Sequence, residues 1–195
     1  GRPTGVIDDK AKEIQAMFQK ALGHCELTDN LMGVRYTKLS DNSCFSGLAT
    51  ALGCLVGDIL DNRKAMECIA YNGRECATII KAKGITPVEC FGLCPTEDRV
   101  CFETKEELDQ VIAYWTKVYT PFRAQKASMI QDLEKGRKCE INFINGKFVE
   151  EARKLGIETP FNDMIVKCVT EIQNGEYTLE EAWEKNLDRF EIPSL

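Results

Sequence analysis

Apolar residues recur three and four apart through most of this chain, the spacing that places them on one face of an α-helix. From Asp8 the positions Ala11, Ile14, Met17, Phe18 and Leu22 form one such stripe, opened by an acidic first turn and closed by Gly23. Two short β-like pieces, Val6-Ile7 and His24 to Thr28, flank it, so residues 1–30 are expected to form a strand–helix–strand unit. A unit that small cannot bury a core of its own. It reads as the last unit of an α/β sheet whose other strands lie before Gly1. From Leu31 the pattern turns helical throughout, and a long apolar helix is expected to about Leu60 through Leu39, Phe45, Leu48, Leu52 and Val56. Arg63 to Lys83 follows with Met66, Ile69, Ala70, Ala77 and Ile80 as its stripe and Gly84 as its stop. Glu75 in that helix is expected at the surface or as a capping partner. Ile85 to Arg99 holds Pro87, Gly92 and Pro95 and reads as a connecting loop.

The second half repeats the pattern with clearer punctuation. Thr104-x-x-Glu107 is a capping box ahead of Leu108, Val111, Ile112, Trp115 and Val118. Pro121 separates this helix from one expected over Phe122 to Lys135. Gly136 breaks the chain, and Glu140 is expected in the first turn of a new helix carrying Ile141, Ile144, Phe148, Ala152 and Leu155 and ending at Gly156. Thr159-Pro160 opens another, with Thr as N-cap, Pro in the first turn and a core of Met164, Ile165, Cys168 and Ile172. Asn174-Gly175 is a turn. Thr178-x-x-Glu181 then caps a short last helix in which Trp183 is a packing residue. The expected division is residues 1–30 as the end of one domain and residues 31–195 as a mainly helical second one.

Two polar features interrupt the apolar pattern. Lys38, Asn42 and Ser46 stand at i, i+4 and i+8 of an otherwise buried helix and therefore on one face. That face is either simply solvated, as in any amphipathic helix, or it presents polar groups to a partner. Ser128 and Glu140 flank the Gly136 break near two helix ends. They are either part of a capped helix corner or side chains converging on one pocket.

Composition narrows the classes. The 195 residues are 44% hydrophobic, enough for a substantial core, and the net charge of −6 comes with no basic stripe, so nucleic acid is not an expected partner. No run approaches the roughly 20 apolar residues of a membrane helix. The start has no signal-peptide pattern, and a cytoplasmic protein is expected. Without an initiator Met the chain is expected to be a piece of a longer one. The ten cysteines fall mostly beside apolar residues in helical patterns, as small hydrophobes rather than a disulfide framework. Cys90-x3-Cys94 with Cys101 lacks the second short Cys/His pair of a usual zinc site, and no metal is expected there.

The segment Tyr36-Thr-Lys-Leu-Ser-Asp-Asn42 with the small-residue stretch Gly47–Gly57 is similar to the start of the C-terminal domain of ketopantoate reductases (2-dehydropantoate 2-reductases), where Lys is followed by Asn four residues on. A longer block resembles the same family: Ser128, Asp132, Gly136-Arg137, Glu140-Ile141 and Asn145-Gly146, then Thr159-Pro160-Phe161-Asn162. The resemblance implies a helical bundle like the C-terminal domain of 6-phosphogluconate dehydrogenase, preceded by a β-α-β remnant of a Rossmann-type domain. It implies an NADP-dependent reductase of pantothenate and coenzyme A biosynthesis acting on a small 2-oxo acid, and a homodimer is compatible with it. On this resemblance Lys38 is the general acid and Glu140 its catalytic partner, while Asn42, Ser46, Gln125 and Ser128 hold the substrate. Family members often carry Asn where this chain has Ser46 and Gln125, so the reaction class is better defined than the 2-oxo acid. No G-x-G-x-x-G occurs, so cofactor binding is expected to need an upstream domain.

Overall fold

A computed structural model describes residues 1–90 and 92–195. Apolar periodicity becomes helix over most of this length: α1 (Asp9–Leu22), α2 (Leu31–Asp41), α3 (Leu48–Leu52), α4 (Val56–Leu60), α5 (Arg63–Ala82), α6 (Glu97–Val100), α7 (Lys105–Tyr119), α8 (Ser128–Glu134), α9 (Asn145–Leu155), α10 (Pro160–Gln173) and α11 (Ala182–Asn186). The mainly helical class follows. Among the described residues there is no strand, only an isolated bridge between Cys90 and Leu93. The expected strands at Val6-Ile7 and His24–Thr28 are absent as ladders, because a strand needs a paired neighbour and no described residue supplies one. The helix between them does form, with the Asp8 carboxylate accepting from Ala11 N and Gly23 closing it at φ 78°.

The twenty-residue α5 is the axis of the bundle. It packs against α2, α4, α7, α9 and α10, and its expected stripe of Met66, Ile69, Ala70, Ala77 and Ile80 is buried in full. Around it the aromatic side chains interlock. Phe45 stacks on Tyr119 with ring centroids 3.5 Å apart, and Tyr71 stacks on Phe161 at 4.9 Å. Trp115 is fully buried over Gly73, where a Cβ would lie 2.9 Å from the indole ring. By contrast α1 buries none of its residues, and Leu22 is 70% exposed with Met17 and Phe18 beside it.

Three expected helix boundaries differ, each for a tertiary reason. The long helix from Leu31 to Leu60 is broken: α2 passes into a π-helical turn at Asn42–Gly47, then α3 ends at Gly53 before α4 begins. Gly53 takes φ 63°, and a Cβ there would sit 1.9 Å from the Leu179 carbonyl, so the break is where the chain admits the C-terminal segment. The helix expected from Phe122 starts only at Ser128. Its missing first turn is used to cap α4, since Val56 N donates to Gln125 O at 3.2 Å and Gly57 N to Arg123 O at 2.8 Å. Glu140 does not lie in an α-helical first turn; it precedes a 3-10 turn, Ile141–Phe143, and the α-helix begins at Asn145.

Several punctuation signals act as read. The Thr104/Glu107 capping box forms in both directions, and Thr178 and Glu181 exchange the same pair of bonds. Gly136 and Gly156 are left-handed at φ 67° and 68°. Thr159 precedes α10, but its hydroxyl bonds Asp163 instead of the helix backbone. The capping carboxylate comes from α5. Glu75 Oε1 accepts from Phe161 N at 2.8 Å and Oε2 from Asn162 N at 3.0 Å, so Glu75 caps α10 across 86 residues of chain. It is not a surface residue, being only 9% exposed.

Candidate active site

The last turn of α2 and the π-turn present one polar edge to a cleft. Lys38, Asp41, Asn42 and Ser46 lie on that edge, and Gln125 faces them from the segment before α8. The rest of the wall is apolar: Phe45, Val56, Leu93, Val118, Tyr119, Phe122 and Ala127. The cleft is open to solvent on one side and has a volume of about 230 Å³, room for a small molecule only. Lys38 forms an ion pair with Asp41 one turn ahead of it, so the ammonium is tethered at the mouth of the cleft. Four of the six residues named by resemblance, Lys38, Asn42, Ser46 and Gln125, therefore meet in one place. Ser128 and Glu140 are exposed and are not among the lining residues; Ser128 follows the lining Ala127, and Glu140 precedes the 3-10 turn whose Phe143 is 81% exposed.

The π-turn is held from behind by a buried polar cluster that hydrophobic periodicity does not announce. The Ser43 carbonyl accepts from Asn72 Nδ2 and from Asn145 Nδ2, each at 3.0 Å. Ser43 Oγ donates to Asn162 Oδ1 at 2.8 Å, and Asn145 Nδ2 reaches that same oxygen at 3.0 Å. Asn162 Nδ2 in turn donates to Glu75 Oε2 at 2.7 Å. Ser43, Asn72, Asn145 and Asn162 are all without solvent exposure. Burial pushes the Glu75 carboxyl up to about 7 against the lowering effect of its three N–H donors. The only advance signal of this cluster is that Asn145 and Asn162 belong to the family-like block. Asp41 and the aromatic wall were also missed, although an acid three residues after Lys38 is a spacing that pairs on a helix.

Gly47 closes the π-turn, and a Cβ there would lie 2.4 Å from Asn145 Oδ1. Gly47→Ala is therefore expected to destabilise the fold by about 2 kcal/mol, the usual scale of overpacking a filled interior. Urea denaturation of both proteins checks this, and an unchanged midpoint would mean that Asn145 has room to move.

Elsewhere the thiols behave as hydrophobes. Burial raises Cys54 and Cys68 to about 12 and Cys168 to about 11, which keeps them un-ionised and unreactive. All ten cysteines are free. Among the described residues, no three His, Cys, Asp or Glu side chains gather in a group that could hold a metal ion, and Cys90, Cys94 and Cys101 form no such group. No helix among them is long and apolar enough to cross a membrane.

The described residues thus form a helical bundle around α5, with a lysine, an asparagine and a serine lining a small, largely apolar cleft. Residues 30–173 match the family described as ketopantoate reductase PanE/ApbA, C-terminal, and the chain belongs to that family. A 2-dehydropantoate 2-reductase of Pyrococcus horikoshii is 27% identical over 154 residues, covering 79% of this chain and 44% of that protein. The chain spans about half the length of the curated relatives it matches. Its fold is similar to that of a PanE/ApbA family ketopantoate reductase from Ralstonia eutropha JMP134, with a TM-score of 0.69 and 22% identity over 86% of this chain and 49% of that one. It is also similar to a D-mandelate dehydrogenase solved with NADH and anilino(oxo)acetate, with a TM-score of 0.66 and 22% identity over 87% of this chain and 64% of that one.

Proposed function

We propose that this chain is the substrate-binding and catalytic domain of a reductase that converts 2-dehydropantoate to pantoate with NADPH, a step toward pantothenate and coenzyme A. The observation that carries the reading is the meeting of Lys38, Asn42, Ser46 and Gln125 on one cleft of a domain belonging to this family. Residues 31–195 are the substrate side. Residues 1–30 are the tail of a nucleotide-binding domain, a division supported by the family match beginning at residue 30 and by the exposed apolar face of α1.

The chain has no glycine-rich strand–helix turn to cradle a dinucleotide pyrophosphate, so its own residues do not fit the cofactor's phosphate site. A nicotinamide held by a separate nucleotide-binding domain would supply the hydride for the substrate's carbonyl carbon. The residues of this chain manage the charge that develops on the carbonyl oxygen. The Lys38 ammonium stabilises that charge and then delivers a proton to the same oxygen. Asp41 holds the ammonium at the cleft mouth, while Asn42, Ser46 and Gln125 orient the carboxylate and hydroxyl groups of the substrate. The apolar wall receives the branched carbon skeleton and keeps water from the reacting carbon. Ser128 and Glu140 keep the roles implied by resemblance only as proposals, since neither lines the cleft.

Assay of the full-length protein for NADPH oxidation tests this reading. Oxidation dependent on 2-dehydropantoate is the expected result. Turnover of a different 2-oxo acid instead would move the substrate but keep the reaction, an outcome favoured by Ser46 and Gln125 standing where the resemblance implies Asn. No turnover with any 2-oxo acid would leave a non-catalytic helical module.

A further inference from the structure

The π-helical turn at Asn42–Gly47 sits between the two halves of the polar edge, with Lys38 before it and Ser46 within it. Four residues of α-helix overshoot a full turn by about 40°, so a continuous α-helix would carry Ser46 progressively around the axis from Lys38. A wider turn rotates less per residue and keeps Ser46 beside Asn42 at the cleft. Such turns are strained insertions that persist only where surroundings hold them. The surroundings here are specific. The Ser43 carbonyl is met by two amide groups from two different helices, Asn72 of α5 and Asn145 of α9. Asn145 also bonds Ser43 Oγ at 2.8 Å, and Asn162 of α10 accepts from that same hydroxyl.

The amide orientation is set by chemistry. Turning Asn145 over would place its oxygen against the Ser43 carbonyl, two acceptors face to face. The same holds for Asn72. The Oδ1 atoms of both are buried without a hydrogen-bond partner. Neither side chain therefore achieves its full set of bonds, which is unfavourable in an interior unless the bonds that are made matter. Both give their amide nitrogen to the backbone of the π-turn.

We propose that Asn145, Asn72 and Asn162 are positioning residues that lock the π-turn and so set the aim of Asn42 and Ser46 at the substrate. The effect on catalysis rests on the reductase reading above; the effect on the turn does not. It gives the Asn-Gly and Thr-Pro-x-Asn elements of the family-like block a physical role behind the cleft wall.

Asn145→Asp in the full-length protein is the test, because it preserves shape and replaces the donor with an acceptor facing the Ser43 carbonyl. Two readouts separate the claims. In a crystal structure of the variant, residues 42–47 are expected to leave the π conformation, with Ser46 rotated from the cleft. In kinetics at saturating NADPH, KM for the 2-oxo acid is expected to rise at least tenfold, with KM for NADPH within twofold of wild type. If Asn145→Asp does not fold, Asn72→Ser removes one of the two amides and is expected to raise the same KM by about threefold. A π-turn unchanged in the folded variant overturns the proposal whether or not the wild type reduces any 2-oxo acid. A variant that only melts earlier, with wild-type KM in its folded fraction, overturns it as well. If the wild type is inactive while the turn still rearranges, the positioning role stands and the reductase reading falls.

Discussion

Lys38→Ala in the full-length protein is expected to lower kcat for 2-oxo acid reduction by about 10²–10⁴-fold, the range lost with a positioned general acid. The loss should fall on kcat more than on KM, because the ammonium meets full negative charge only as the carbonyl oxygen becomes an alkoxide. The melting temperature should hardly move, since Lys38 is half exposed and its pairing with Asp41 is a surface ion pair of small net value. Lys38→Arg should recover little. A guanidinium keeps the charge but does not release a proton at neutral pH. A fall in kcat of less than tenfold for Lys38→Ala would remove Lys38 from the acid role and point to another proton donor at the cleft.

The largest stability effect is expected at Glu75. Glu75→Ala would strand Phe161 N, Asn162 N and Asn162 Nδ2 in the interior, at a cost of about 3–5 kcal/mol. Its pH dependence has a defined sign. Burial raises the carboxyl to about 7 from its model-compound value of 4.5, so the folded chain keeps this proton at pH values where the unfolded chain has lost it. The contribution is full below about pH 4.5 and is lost as the pH rises through about 7, a difference of about 3 kcal/mol. Melting curves between pH 5 and 8 for wild type and Glu75→Gln check it. The difference in stability between the two should change across that window in the direction that disfavours the wild type at high pH. A constant difference would mean that Glu75 stays ionised throughout, held so by its three donors.

Periodicity alone located α5, α7, α9 and α10, because each buries a stripe whose spacing is local information. Capping boxes and left-handed glycines were legible for the same reason. Boundaries set by distant partners were not. The first turn expected after Phe122 is given up so that Arg123 and Gln125 can cap α4, and the helix expected at Glu140 is delayed to Asn145, whose side chain is anchored to Ser43. The cleft was half legible. Lys38, Asn42 and Ser46 share a face by spacing, and Gln125 was reached only through resemblance. Phe45, Tyr119 and Phe122 look like any core aromatics in the sequence, and nothing local distinguishes an asparagine that braces a π-turn from one at the surface.

The reach of Glu75 across 86 residues also bears on the order in which the chain assembles. The starts of α1, α2, α5 and α7 are capped by Asp8, Asn30, Asn62 and Thr104, their own neighbours in sequence, so those ends can form as soon as the local chain does. The start of α10 has no such local cap, because Thr159 bonds Asp163 instead. Its first turn is completed only once α5 is docked alongside. Since the same carboxylate anchors Asn162, the bracing of the π-turn depends on that docking too. The final shape of the cleft wall therefore depends on a contact that closes a loop of 86 residues, an ordering cost that the locally capped helices do not carry.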